Sequence, residues 1–176
     1  MRLLRLALIV WSVAGVGCSR RSSHRDFVPP HYADGSDGLR AFFRDVLDAA
    51  QKDDRERVHD LMATTILSDD ELRRLLGGSK ADPLLPRYHQ LIGNLVNRGA
   101  VELVAMVYDK KYDAVDAFAD DNEAALTAAL VEPHPLFAAR VRKAVDTRGQ
   151  RFDGYLYLDG RWRTFNQLAK FIDVVK

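Results

Sequence analysis

The tightest constraint on the fold lies near the end of the chain, where an apolar run, Phe152 to Leu158, meets Asp159-Gly160 and then Arg161-Trp162-Arg163-Thr164-Phe165. Asp-Gly between two strand-like runs is the pair a two-residue hairpin needs, because both central residues must accept left-handed backbone. A loop of that length fixes the register. Tyr157 then faces Trp162 and Tyr155 faces Thr164 on one side of the sheet, while Leu156 and Leu158 face Arg163 and Arg161 on the other. One face is thus aromatic, and the other carries leucines beneath arginine stems. Upstream, Phe137, Ala139 and Val141 alternate with Ala138, Arg140 and Arg142, the period of another strand.

Ahead of the strands the period changes. Leu39, Phe42, Phe43, Val46, Leu47 and Ala50 recur three and four apart and predict a helix, with Asp37 as its N-cap. Asp53 with Glu56 suggests a restart, after which Val58, Leu61, Met62 and Leu67 form an apolar face; Ser68 with Glu71 repeats the signal for a short helix ending at Gly77-Gly78. Beyond Pro83 and Pro86, Tyr88 to Arg98 has helical spacing with Gly99 as the stop. Val101 to Val107 is a short apolar run rich in branched residues and reads as a strand; Asp121 to Leu130 reads as helix. Leu168, Phe171, Ile172 and Val175 form a closing amphipathic segment. Helices first and antiparallel strands last define an α+β class: short N-terminal helices packed on one face of a C-terminal antiparallel curved sheet, cone-like, preceded by a signal peptide.

The chain has 176 residues, enough for one domain and a small appendage. The appendage is at the start. Arg2 and Arg5 precede an almost unbroken apolar run from Leu6 to Val16, which is followed at once by Ser19, Arg20, Arg21, Ser22, Ser23, His24 and Arg25. A membrane-spanning helix needs roughly 20 apolar residues, so this shorter run fits a cleaved leader over residues 1–17. Residues 18–38, with Pro29-Pro30 and Asp34-Gly35-Ser36-Asp37-Gly38, read as a flexible tether, and 39–176 as the domain.

The leader ends Gly15-Val16-Gly17-Cys18, and Cys18 is the chain's single cysteine. This segment resembles the lipobox of bacterial lipoproteins, in which small residues precede a cysteine that is acylated and becomes the new N-terminus; Gly15 stands where that class prefers a branched aliphatic residue. The resemblance implies a lipid (palmitate) on Cys18, a membrane partner through that anchor, and residence in the bacterial cell envelope. Ser19 is similar to the pattern that sorts such proteins to the periplasmic face of the outer membrane in some Gram-negative hosts. A lone cysteine also leaves no intramolecular disulfide, so the core alone must stabilise the domain.

The order of elements, with Tyr155-Leu156-Tyr157-Leu158-Asp159-Gly160-Arg161-Trp162-Arg163, resembles the nuclear-transport-factor-two-like, or SnoaL-like, superfamily over roughly residues 39–175. That resemblance implies a pocket between sheet and helices, used by different members for ligand binding, for isomerase or dehydratase chemistry, or for association alone. Tyr155, Tyr157 and Trp162 would floor such a pocket or pack as core beneath the helices, the latter being the default for aromatic residues at strand spacing.

Composition and motifs narrow the chemistry. From Cys18 onward there are 24 basic and 25 acidic residues, and this balance excludes the basic footprint that a nucleic-acid partner requires. His24, His31, His59, His89 and His134 lack metal-ligand spacing, and phosphate-loop and nucleophile-elbow motifs are absent. Asp116, Asp120, Asp121, Asn122 and Glu123 lack the alternation and central glycine of a calcium loop, so Asp120 or Asp121 reads as a helix cap. Arg140, Arg142, Arg151, Arg161 and Arg163, interleaved with Asp153 and Asp159, read as a solvated face. No catalytic residue, metal or cofactor is assigned. The expectation is an envelope-anchored, non-catalytic module that binds an envelope protein or a small hydrophobic ligand. The alternative is a SnoaL-like hydratase or isomerase, for which Tyr155, Tyr157 and Asp153 would supply acid–base groups.

Overall fold

In a computed structural model, which describes residues 27–121 and 123–172, the stripe Leu39, Phe42, Phe43, Val46, Leu47 and Ala50 is the buried face of the first helix, α1 (Gly35–Gln51). Asp34 caps it, accepting from the Gly35 N–H at 2.6 Å, so the helix begins three residues before the start that an Asp37 cap would give, and Asp37 lies inside its first turn. The leader, Cys18 and the tether up to residue 26 lie outside the described residues, as does Val175.

The rest of the expected tether is laid on the domain. Arg57 stacks its guanidinium over the Phe27 ring at 4.6 Å, Tyr32 meets Phe42 edge-on at 5.4 Å, and the Tyr32 hydroxyl donates to Asp45 Oδ2 at 2.7 Å. Gly38 permits this approach, since a Cβ there would fall 1.7 Å from the Ala33 carbonyl oxygen. Two aromatic residues among prolines and glycines thus outweigh a linker-like composition.

Two more helices follow, α2 (Arg55–Ala63) and α3 (Asp69–Leu76). The cap of α2 is Asp54, which accepts from the Arg57 N–H at 3.0 Å; Asp53, one residue early, instead takes the left-handed conformation that Asp tolerates in turns, at φ 54°. α3 has the expected capping box: the Glu71 N–H donates to Ser68 Oγ at 3.2 Å, and the Ser68 N–H donates to Glu71 Oε2 at 2.7 Å. Gly77, at φ 78°, ends it.

The helical stretch that comes next departs most from expectation. α4 (Gly78–Asn94) runs straight through Pro83 and Pro86, a π-turn (Leu95–Gly99) carries it onward, and α5 (Ala100–Lys110) completes it, so Gly99 is not a stop and Val101 to Val107 is helix rather than strand. Both prolines lie on the exposed side, where water can satisfy the carbonyls of Ser79 and Asp82 that they leave without a donor. The opposite side, Ala81, Leu84, Leu85, Tyr88 and Ile92, is buried and holds the helix in place. In α5, Ala100, Leu103, Val104 and Val107 are buried while Val101 is exposed, a helical period hidden in what looks like a continuous apolar run.

The sheet is an open antiparallel meander, β1 (Ala114–Ala119), β2 (Phe137–Arg142), β3 (Gly149–Leu158) and β4 (Arg161–Thr164), in that order. A six-residue helix, α6 (Ala124–Ala129), joins β1 to β2, and a 3-10 turn (Asn166–Leu168) with α7 (Ala169–Ile172) follows β4. The β3–β4 hairpin has the expected register, Tyr155 with Thr164, Leu156 with Arg163, Tyr157 with Trp162 and Leu158 with Arg161. Asp159 and Gly160 both have positive φ, 51° and 80°. Between β2 and β3 the register slips by one residue near Ala138; Gly154, at φ 70°, provides the bulge that bends β3.

The fold is therefore α+β, with helices on both faces of the sheet rather than one. The aromatic face, with Phe137, Tyr155 and Trp162, packs against α1, α2 and α5. The leucine face, with Leu156 and Leu158, packs against α3, α4 and α6. Tyr88 of α4 ties the second layer together: its buried hydroxyl accepts from the Leu67 N–H at 2.8 Å and donates to the Thr164 carbonyl at 3.1 Å. Tyr88→Phe removes that bridge and leaves a buried donor and acceptor unsatisfied. An unfolding free energy lower by about 1–3 kcal/mol is expected, read as a lower urea midpoint at unchanged slope; a change below 0.5 kcal/mol would mean water replaces the hydroxyl.

Candidate functional site

The aromatic trio singled out in the sequence is packed. Tyr155 and Trp162 are buried, Phe43 meets Tyr155 edge-on at 5.3 Å, and Trp162 meets Phe137 and Tyr157 at 5.4 and 5.3 Å. Burial holds the Tyr155 hydroxyl far above its ordinary value, and the Thr164 side chain is its hydrogen-bond partner. Tyr157 is half-buried and donates to the Tyr32 carbonyl at 2.8 Å. These three side chains join the sheet to α1 and to the segment before it; they do not line the cleft described next.

That cleft, about 550 Å³, opens at the far end of β3. β4 ends where Thr164 meets Tyr155, so residues 150–152 pair with β2 on one edge, and no described strand pairs with residues 150–153 on the other. One wall is the π-turn and α5, through Leu95, Gly99, Glu102, Leu103 and Met106. The opposite wall is Glu123 and Ala125 at the start of α6, and Asn166, Gln167 and Lys170 close the end. A π-turn widens a helix locally and is frequent at functional sites; here two of its residues, Leu95 and Gly99, form the lip.

Charge is unevenly distributed across the cleft. Arg151 is engaged: its Nη2 donates to the buried Asp120 at 2.7 Å and its Nε donates to Asp153. Lys170 donates to Gln167 at 3.2 Å and pairs with no carboxylate among the described residues. The carboxylates of Glu102 and Glu123 accept no hydrogen bond and form no ion pair among the described residues, and Glu102 is exposed. Glu123 is half-buried, and its carboxyl is raised above the ordinary range by burial first and then by the negative charges of Asp120 and Asp153, against the pull of Arg151 and Lys170. Excess negative charge along an apolar wall of Leu103, Met106 and Phe152 suits a positively charged partner.

The remaining sequence candidates fall elsewhere. Asp120 pairs with Arg151 and does not cap α6, whose N-cap is Glu123 without a side-chain hydrogen bond. Arg142 holds Asp116 through two hydrogen bonds, at 2.5 and 3.0 Å, and keeps that carboxyl below the usual range. Arg140 and Arg151 lie over the Phe118 ring at 5.5 and 5.2 Å, and Arg163 pairs with Glu71 at 2.9 Å, so most of the arginines read as a solvated face are committed to partners. His59 and His89 each sit beside an aspartate, at 3.4 Å from Asp60 and 2.7 Å from Asp69. No group of three or more His, Cys, Asp or Glu side chains able to hold a metal occurs among the described residues, and no described helix is long and apolar enough to cross a membrane.

Sequence reasoning missed the cleft because its residues come from four separate stretches of the chain with no linear motif. The one local signal was Gly154 inside a strand pattern, which marks a bulge. Fold and site together define an α+β domain with an open, acidic-and-apolar cleft along a free strand edge. Comparison with protein families, with curated proteins and with solved structures finds no match for this chain.

Proposed function

We propose that this chain is a lipid-anchored protein of the bacterial envelope whose domain is a non-catalytic binding module, with the cleft beside β3 as its binding site. The observation that carries the binding role is the cleft itself: a concavity of about 550 Å³ with an apolar wall and two carboxylates that have no ion-pair partner among the described residues. The anchor rests on the leader pattern and on Cys18 at its end, and the envelope is where such an anchor would hold the domain. Cys18→Ser is expected to move the protein from the membrane fraction to the soluble one, and mass spectrometry of the native protein is expected to find an acylated N-terminal cysteine. A native protein beginning at an unmodified Met1 would overturn the anchor and leave the cleft untouched.

One observation favours the hydratase or isomerase reading suggested by the SnoaL-like resemblance: Glu123 and Asp153 border the same cleft, and Glu123 holds its proton more tightly than an ordinary carboxyl. Against it, Asp153 is engaged by Arg151, Tyr155 is in the core, and the half-buried Tyr157 donates to the Tyr32 carbonyl away from the cleft. A ligand recovered unchanged after long incubation supports binding. Conversion that disappears in Glu123→Gln would replace it with catalysis.

A further inference from the structure

Resting on that reading of the cleft, we propose that the ligand is an extended polypeptide segment carrying lysine or arginine, which adds as a strand to the free edge of β3. Three features converge. β3 has ten residues, but β4 covers only Tyr155 to Leu158, so residues 150–153 present an edge to the cleft. Apart from the Gln150 side chain, which donates to the Arg151 carbonyl at 3.2 Å, no described element outside β2 hydrogen-bonds the backbone of these four residues. An open strand edge binds main chain, and four residues of added strand span about 13 Å. Small amphiphiles would use the walls of the cleft and leave this edge idle.

The walls suit alternating side chains. Successive residues of an added strand point to opposite faces of the sheet. One set would meet the α5 wall, where Leu103 and Met106 supply apolar contact and Glu102 a carboxylate; the other would meet Glu123 beside α6. Asp120 and Asp153 already neutralise Arg151, so its charge does not oppose a cationic side chain, and Lys170 is the remaining positive group in the lining. A segment with basic residues therefore finds two carboxylates to satisfy, whereas an acidic segment would add like charge to a half-buried Glu123.

The test uses the full-length protein with two blocked peptides, Val-Lys-Val-Lys-Val and Val-Glu-Val-Glu-Val, followed by calorimetry and by amide resonances of Gln150 to Asp153. The lysine peptide is expected to bind at least tenfold more tightly, to weaken with added salt, and to shift those resonances. N-methylation of alternate amides should abolish binding in one of the two possible sets and spare the other, the signature of pairing along one strand edge. Glu102→Gln and Glu123→Gln should each weaken the lysine peptide several-fold without lowering the melting temperature, and Lys170→Gln should not weaken it. Equal binding of the two peptides, or indifference to both methylation patterns, overturns strand addition. If n-hexylamine or hexanol shifts the cleft resonances and neither peptide does, the cleft remains a small-molecule site and only the polypeptide assignment falls. If no probe shifts them, both fall.

Discussion

Phe43→Ala is expected to lower the unfolding free energy by about 4 kcal/mol, within the range for emptying a buried phenylalanine site. Phe43 is wholly buried at the meeting point of helix α1 and the aromatic face of the sheet, with Phe42, Phe152 and Tyr155 at ring separations of 5.2, 5.0 and 5.3 Å. None of these neighbours can fill the void without leaving another contact. α1 is held by its own packing and β3 by the sheet ladder, so little collapse is available and the cavity term stays large. In a domain of this size the loss corresponds to a melting temperature lower by roughly 10 °C. A loss under 1.5 kcal/mol would mean that the rings repack, and that the aromatic face is not the rigid layer described. Phe152 also forms part of the cleft, so the same variant is expected to weaken ligand binding while its backbone spectrum stays native-like.

The second large effect belongs to Arg163. Its guanidinium donates to Glu71 Oε1 from Nε at 3.1 Å and from Nη2 at 2.9 Å, and to the Thr64 carbonyl from Nη1 at 2.5 Å, binding β4 to the start of α3 and the end of α2. Both side chains are about 15% exposed or less. Arg163→Met removes the cation but leaves the half-buried Glu71 charge, and a loss of about 2–3 kcal/mol is expected at neutral pH, below the full range for a completely buried pair because some solvent remains. The effect should fade in acid. Burial pushes the Glu71 carboxyl up, but the Ser68 N–H and Arg163 together outweigh it and hold the carboxyl below its ordinary value. A carboxyl lowered in the folded state contributes stability above its unfolded value and loses it as pH falls through the folded one. Wild type should therefore lose stability across that acid window more steeply than the variant, and urea midpoints from pH 7 to pH 3 should converge. A constant gap would mean that the loss comes from packing of the arginine stem alone.

What the sequence revealed and what it hid divide along a physical line. Signals carried by a few adjacent residues were legible. Asp159-Gly160 dictated the hairpin and its register, Ser68 with Glu71 dictated a capping box, and the stripe from Leu39 to Ala50 dictated a buried helical face. Signals that depend on which competitor wins were not. Val101 to Val107 has the composition of a strand, and its helical burial appears only once Leu103, Val104 and Val107 have α1 and α2 to pack against. Pro83 and Pro86 argue against helix locally but are tolerated because they face water. β1 went unread because Ala114, Asp116, Ala117 and Ala119 carry little strand preference; the pairing with β2 creates the strand. The cleft was illegible for a related reason. It exists because β4 is shorter than β3, a difference in length between two strands and not a property of any residue, although Asp153, named as an acid–base candidate, does border it.

The π-turn has a consequence for the phase of the long helix. At 3.6 residues per turn, one additional residue rotates every later side chain by about 100° relative to an uninterrupted α-helix. Before the turn, Leu84, Tyr88 and Ile92 point into the leucine layer; after it, Leu103, Val104 and Val107 point into the aromatic layer, and Leu95 touches both. One continuous helical stretch can therefore serve two hydrophobic layers on opposite sides of one sheet, with the angular offset supplied by five residues at the rim of the cleft.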